Sequence, residues 1–312
     1  MLNESVNEYL ELRRGLGFKL VDTGELLANF SAFATARGDV VVRAQTAIAW
    51  AALGPSAARR HRRLRVLALL VEHLYVEDPR HERIPMHPFP STPSLRPVPR
   101  IFSAREIGHV IALATLLKPA GSIRPSTYAT LFGLLFATGM RISEALRLRL
   151  EDVDGAGLTI RQTKFGKSRW LPLHASTREA LEQHLVVRRA LAADTDRLFL
   201  SWRRNLPLDR TAVLSTFQGL CAEAGFAGVG ARRKPRLHDL RHSFATHALR
   251  RCAADRDAVE QHMLALSTYL GHVSISSTYW YLESTPELMR DIAGACDGHA
   301  DARDDARRGP SA

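Results

Sequence analysis

Residues 158–173 read Leu158-Thr159-Ile160-Arg161-Gln162-Thr163-Lys164-Phe165-Gly166-Lys167-Ser168-Arg169-Trp170-Leu171-Pro172-Leu173. Leu158, Ile160 and Gln162 begin a period-two pattern, Phe165-Gly166-Lys167 supplies a turn, and Ser168 to Leu173 returns as a second strand. Gly155 and Gly157 end a helical signal just before it. Helical spacing resumes from Thr177, so the stretch predicts a small β-hairpin embedded in a mainly α chain, an α+β fold.

Working outward, Ser103 followed by Glu106 is a capping box that opens a helix to about Leu117. Residues 125–148 read as a buried helix, a turn and a second helix beginning near Arg141-Ile142-Ser143-Glu144. Beyond the hairpin the helical pattern is interrupted by a Gly-rich, basic stretch from Gly225 to Arg236, and Asp301 to Ala312 reads as a disordered tail. Upstream, seven of the fifteen prolines fall between Pro79 and Pro99. Proline fixes φ and removes a backbone donor, so this segment is neither helix nor central strand and reads as an interdomain linker. Before it, apolar residues recur at helical spacing over Val6 to Leu16, Gly24 to Thr35, Arg43 to Leu53 and Ala57 to Val76, with Ser56 as N-cap of the last. The expected organisation is a helical domain over 1–78, a linker over 79–100, a second domain over 101–290 and a tail over 291–312.

The chain has 312 residues with 43 Lys+Arg against 32 Asp+Glu, a net charge of +11. Hydrophobic residues at 46% and charged residues at 24% match a globular protein and argue against disorder, collagen or a membrane bundle. The positive excess points to a polyanion, with nucleic acid the leading candidate. Arg59, Arg60, Arg62 and Arg63, with Arg65, crowd the start of one predicted helix. That density suits phosphate contacts along one side of the helix, and a solvated face equally well. Cys221, Cys252 and Cys296 are scattered and form no Cys-x-x-Cys pair, which fits a reducing cytosol. The N-terminus carries Glu4, Glu8 and Glu11 and lacks the apolar run of a signal peptide, while Tyr128 to Met140 is too short to cross a bilayer. A cytoplasmic protein without a membrane partner is expected.

Two fragments invite motif readings that fail. Gly166-Lys167-Ser168 resembles the end of a phosphate-binding loop, but Arg161 stands where the leading glycine is needed and the fragment sits in a hairpin turn. His238 and His242 are spaced to hold zinc on a helix, yet Arg241 would place a permanent positive charge beside the metal. An anionic ligand makes sense of that arginine. His238 and Arg241 share one helix face and can converge on a phosphate. Thr138-Gly139-Met140-Arg141-Ile142-Ser143-Glu144 places another arginine after a glycine turn near a helix N-terminus, where free N–H groups favour an anion and Glu144 can orient Arg141. Lys164 sits at the hairpin tip, and Leu270-Gly271-His272 is followed nine residues later by Tyr281.

Over roughly residues 101–290 this arrangement resembles the catalytic domain of tyrosine recombinases, the phage integrase family. Ala137 to Glu144 is similar to its first arginine box, Leu237-His238-Asp239-Leu240-Arg241 through His247 to its His-x-x-Arg box, and Leu270-Gly271-His272 with Tyr281 to its terminal box. The helical N-terminal segment is similar to the family's core-binding domain in pattern and position. The resemblance implies that Tyr281 attacks a DNA phosphodiester to form a 3′-phosphotyrosine. Arg141 and Arg241 then hold the non-bridging oxygens, Lys164 protonates the leaving 5′-oxygen, and His238 and His272 give acid–base or hydrogen-bonding help. Neither metal, ATP nor other cofactor is implied. A phenol of pKa about 10 needs a base or a cationic field to react near neutral pH, and fixed guanidiniums stabilise charge on the phosphorane.

Of the two tyrosines in Ser277-Thr278-Tyr279-Trp280-Tyr281, the spacing selects Tyr281. The family's lysine position, just before the turn, favours Lys164, leaving Lys167 among the DNA-contact candidates. The interval from Arg241 to His272 is longer than in Xer-type resolvases, with Arg251 to Gln261 as an apparent insertion, and the ending resembles recombinases carried by transposons and other mobile elements. Double-stranded DNA, further copies of the chain in a synaptic tetramer, and companion recombinases are the implied partners. Two readings compete: a catalytically silent DNA-binding accessory protein or repressor, and a type IB topoisomerase-like enzyme.

Overall fold

The computed structural model of the protein describes residues 2–85, 88–89, 98–161, 168–226, 234–251 and 256–271. The chain divides into two compact units, Met1–Pro97 and Val98–Ala312.

The first unit contains α1 (Leu2–Gly15), α2 (Val21–Thr35), α3 (Ala44–Ala52) and α4 (Ala57–Glu77). Ser56 caps α4, its Oγ accepting from the Arg59 N–H at 3.3 Å. Leu64, Leu67, Leu70, Val71 and Leu74 recur at helical spacing and bury one stripe of α4 in a core with Leu27, Phe30 and Trp50. Trp50 meets Phe30 edge-on at 5.3 Å and donates its indole N–H to Asn29 at 2.8 Å, so its one polar atom is satisfied. Truncating it to alanine would cost about 3–5 kcal/mol.

The chain beyond α4 is strapped back onto this unit. Glu82 N–H donates to the Val42 carbonyl, Val42 N–H donates to His81 Nδ1 at 3.1 Å, and Ile84 is buried in the core. The Glu82 carboxylate accepts from the Ala44 N–H at 2.8 Å and so caps the start of α3. The proline-rich stretch from 79 to 100 therefore begins on an anchored segment. At its far end Arg100, two residues before the fully buried Phe102, pairs with Glu106 at 2.9 Å.

In the second unit α5 (Ala104–Ala114) starts at the Ser103–Glu106 capping box, both halves of which are formed. Next come α6 (Arg124–Thr138), the single turn α7 (Ile142–Ala145), β1 (Gly157–Ile160), β2 (Arg169–Pro172), α8 (Ala175–Arg189), α9 (Arg210–Glu223), α10 (Leu237–Arg250) and α11 (Arg256–Leu270). Helix α6 is central and packs against α5, α8 and α10. Its Phe132 joins Phe102 and Phe217 in an aromatic cluster of the core. The sheet is one antiparallel pair, with Leu158 opposite Leu171 and Ile160 opposite Arg169. Gly157 is required there, because a Cβ would lie 2.5 Å from the Leu171 carbonyl oxygen and 2.6 Å from the Trp170 ring. The fold is thus mainly helical with a small two-stranded sheet, as the sequence predicts.

Two expectations need correction. The second helix expected from Arg141 to residue 148 stops after one turn, because the chain there is claimed by another segment: Leu198 N–H donates to the Leu148 carbonyl and Leu150 N–H to the Asp196 carbonyl, both at 2.9 Å. The continuous helical pattern expected from Thr177 to Gly225 is broken between α8 and α9, where Leu198, Phe199 and Leu200 cross the core as a bent, non-helical segment between isolated bridges at Arg197 and Leu200. Three successive apolar residues fill a fully buried non-helical segment as readily as a helix, and periodicity does not separate the two. Of the apparent insertion, Arg256 to Gln261 begins α11. Among the described residues no helix is long and apolar enough to cross a membrane.

Candidate active site

The site begins where α6 ends. Gly139 takes φ +61, a left-handed conformation that stops the helix, and a Cβ there would lie 2.4 Å from the Phe244 ring. The turn delivers Arg141 to the start of α7, where its N–H donates to Glu144 Oε2 at 2.9 Å and its Nη1 to Oε1 at 2.8 Å. Glu144 thus orients Arg141, as its position one turn along suggests. Since α7 is a single turn, affinity for an anion at this point rests on the guanidinium and not on a helix dipole.

Glu144 has a second cationic partner. Arg169 on β2 grips the same carboxylate with two bonds, Nη1 to Oε1 at 3.2 Å and Nη2 to Oε2 at 2.8 Å. Burial alone would raise the carboxyl pKa, but the hydrogen bonds from Arg169 and the Arg141 backbone, with the Arg169 charge, outweigh it and hold Glu144 at about 2.

Helix α10 carries the second half. Asp239 accepts from the Arg236 N–H at 2.8 Å and from its guanidinium at 2.9 Å, fixing the first turn. Ser243 Oγ accepts from the Phe102 N–H and donates to the Asp239 carbonyl, both at 2.7 Å, while His247 Nε2 donates to the Phe102 carbonyl at 2.7 Å. On the helix so held, Arg241 is only 2% exposed. Its Nη1 donates to the Gly139 carbonyl at 2.7 Å and its Nη2 to the Leu270 carbonyl at 2.8 Å. Arg141 Nη2 donates to the next carbonyl, Gly271, at 3.1 Å. The two arginines therefore meet at consecutive residues at the end of α11.

His238 lies in the field of these cations. Its burial, then the charges of Arg241, Arg236, Arg141 and Arg210, depress its pKa to about 4. At neutral pH the imidazole is uncharged and able to accept a proton. Its ring sits edge-on to His242 with centroids 4.5 Å apart.

The structure thus brings Arg141, Glu144, His238 and Arg241 into one site. Lys164, Lys167, His272 and Tyr281 lie outside the described residues, as does the expected tail. Arg169, Arg210 and Arg236 belong to the surroundings and are absent from the sequence-derived set. A signal for Arg169 exists: it alternates with Leu171 on the inward face of β2, opposite Ile160, and a charge on an apolar face needs a buried partner. In the first unit, Arg60 Nε donates to the Gly54 carbonyl and Arg63 Nη1 to the Trp50 carbonyl, so both satisfy backbone at the end of α3. Arg62 pairs with Asp22 at 3.0 Å, and Arg59 is exposed.

Two oriented guanidiniums and a neutral imidazole, mounted on a helical unit with one small hairpin, are chemically suited to hold a phosphodiester and to accept a proton from its attacker. Residues 112–287 match the phage integrase family. The chain belongs to that family, the tyrosine recombinases, which are DNA breaking-rejoining enzymes. It is 40% identical over 299 residues to y4rB of Sinorhizobium fredii, named an integrase/recombinase, covering 92% of this chain and 94% of that one. It is 30% identical over 251 residues to the tyrosine recombinase XerD of Brucella abortus, covering 78% and 77%. In fold it is similar to the XerH site-specific recombinase bound to palindromic difH substrate in a post-cleavage complex, with TM-score 0.64, 20% identity and coverage of 87% and 78%.

Proposed function

We propose that this protein is a site-specific DNA recombinase that cleaves and rejoins strands through a 3′-phosphotyrosine at Tyr281 and serves integration or transposition of a mobile element. The observation that carries the reading is the meeting of Arg141 and Arg241, from α7 and α10, at the carbonyls of Gly271 and Leu270. That places both guanidiniums at the segment leading directly to His272 and the tyrosine.

In this mechanism the Tyr281 hydroxyl attacks the scissile phosphorus and His238, neutral at working pH, accepts the phenolic proton. Arg141 and Arg241 stabilise charge developing on the non-bridging oxygens. The bond to the 5′-oxygen breaks, Lys164 protonates that oxygen, and His272 supplies a further hydrogen bond. Rejoining runs the same steps in reverse with a 5′-hydroxyl as nucleophile. The phosphotyrosine keeps the energy of the phosphodiester, so the exchange consumes no nucleotide. Arg59, Arg62 and Lys167 contact the DNA backbone. A palindromic substrate, such as the one bound by XerH, presents the same half-site twice, which supports assembly of several protomers on DNA. The longer interval before His272 and the Ser277-to-Leu282 ending support a mobile-element role, and the 40% identity to y4rB, named an integrase/recombinase, is in keeping with integration.

The test uses nicked duplexes built from inverted or direct repeats sought in the DNA neighbouring the gene. Wild-type protein is expected to form a covalent adduct that disappears in Tyr281→Phe and persists in Tyr279→Phe. The reverse pattern would move the nucleophile. Binding without adduct would favour the accessory-protein reading, and relaxation of plasmid without site preference a topoisomerase.

A further inference from the structure

We propose that Arg169 is a positioning residue for strand cleavage: through Glu144 it fixes the Arg141 guanidinium against the scissile phosphate and keeps that corner of the site positively charged. The inference rests on the recombinase mechanism above and adds a residue to it.

The geometry is a carboxylate held from two sides. Arg141 reaches Glu144 Oε1 by one side-chain bond, whereas Arg169 approaches with the parallel two-point fork that suits guanidinium and carboxylate. Glu144 is deeply buried, with 4% of its side chain exposed, and Arg169 keeps only 14%. Both terminal nitrogens of Arg169 bond to the Glu144 carboxylate, so Arg169 acts on the site through that carboxylate.

Charge arithmetic gives the second reason. Arg141 and Glu144 alone form a neutral pair, which would offer an approaching phosphate almost no net attraction. With Arg169 the trio carries one positive charge, so Glu144 can orient Arg141 without cancelling it. A buried carboxylate with a single partner would also be poorly compensated for its lost hydration.

The third reason is Gly271. It takes φ +65, and a Cβ there would come within 3.0 Å of Arg169 Nη1. Its carbonyl receives Arg141 Nη2. Arg169 therefore packs between the carboxylate that aims Arg141 and the residue that precedes His272. As β2 pairs antiparallel with β1, the same side chain ties this two-stranded sheet to the arginine pair.

The test measures single-turnover adduct formation at saturating DNA on two nicked duplexes, one with a normal scissile phosphate and one with an uncharged methylphosphonate. On the phosphate, Arg169→Ala is expected to slow the reaction by roughly 10²-fold, the scale of a misplaced catalytic group. On the methylphosphonate, which lacks the charge that Arg141 must meet, the defect should shrink to less than about tenfold. In an Arg141→Ala background, Arg169→Ala should add almost nothing. A merely structural role would slow both substrates alike and add to the Arg141→Ala loss. Arg169→Lys keeps the charge without the two-point grip and should fall between alanine and wild type. It replaces the alanine variant, under the same criteria, if that variant does not fold. Rates near wild type on the phosphate, or equal losses on both substrates, overturn the proposal. Failure of wild-type protein to form any adduct would instead overturn the mechanism on which it rests.

Discussion

The carbonyl of Gly139 accepts a hydrogen bond from Arg241 Nη1 at 2.7 Å across 102 residues of sequence. A glycine that ends one helix therefore helps to aim an arginine on another. The same glycine takes φ +61 and leaves no room for a Cβ beneath Phe244. Gly139→Ala should cost about 2–3 kcal/mol by overpacking and backbone strain. In a Phe244→Ala background the ring clash is relieved, and the left-handed penalty of roughly 1 kcal/mol should remain together with a close contact to Leu270 Cδ2 at 3.1 Å. Urea denaturation of the four proteins checks this, and equal costs in both backgrounds would contradict it.

His238 carries a prediction about pH. Its pKa of about 4 comes from burial and from the surrounding arginines, so the imidazole is neutral above that value and loses its capacity to accept as pH falls. Adduct formation should therefore decline on the acid side. A bound phosphate places negative charge beside the ring, so the acid limb at saturating DNA should lie above that seen at low DNA concentration. His238→Gln, which does not titrate, should react slowly with the limb removed. If the limb persists unchanged in that variant, another group is the acceptor.

What the sequence makes legible here is local. The hairpin at 158–173, the Ser56 cap, the Ser103–Glu106 box and the glycine turn before Arg141 each follow from residues within a few positions of one another. The pairing of Arg141 with Glu144 falls in the same class. Arg169 depends on a strand facing a carboxylate 25 positions away, and Arg241 on carbonyls 102 and 29 positions away. Backbone acceptors carry no residue signature, so such contacts leave no pattern to read. For the same reason the shortness of α7 is invisible locally, since it is imposed by backbone pairing with residues 196–198.

Helices α6 and α8 are joined by a fully buried imidazole. His184 Nδ1 lies 2.8 Å from Ser126 Oγ, and its Nε2 donates to the Leu198 carbonyl at 3.3 Å, an arrangement that suits the neutral ring. Burial depresses its pKa from 6.5 to about 4. Between those values the unfolded chain binds the proton and the folded chain does not, so stability falls as pH drops from about 6.5 and the loss is complete below about 4. The shift corresponds to about 3 kcal/mol. His184→Gln retains an acceptor and a donor without titrating, and should show a correspondingly smaller acid loss in urea midpoints at pH 7, 5 and 4. Parallel pH dependence in the two proteins would show that His184 does not contribute.

The basic start of α4 serves two purposes that a salt titration separates. Arg63 Nη1 donates to the Trp50 carbonyl at 2.7 Å and its guanidinium lies over the Trp50 ring at 4.7 Å, so it completes the end of α3. Arg63→Ala should lower stability by about 2 kcal/mol. It should leave the slope of log binding constant against log salt unchanged. Arg62 is about half exposed and its pair with Asp22 is an exposed one, readily exchanged for a phosphate. Arg59→Ala and Arg62→Ala should each reduce the salt slope by roughly 1 with little effect on stability. A slope that falls in Arg63→Ala but holds in the other two would assign the backbone contact to the arginine that the fold uses, and would reverse the division of labour along this helix.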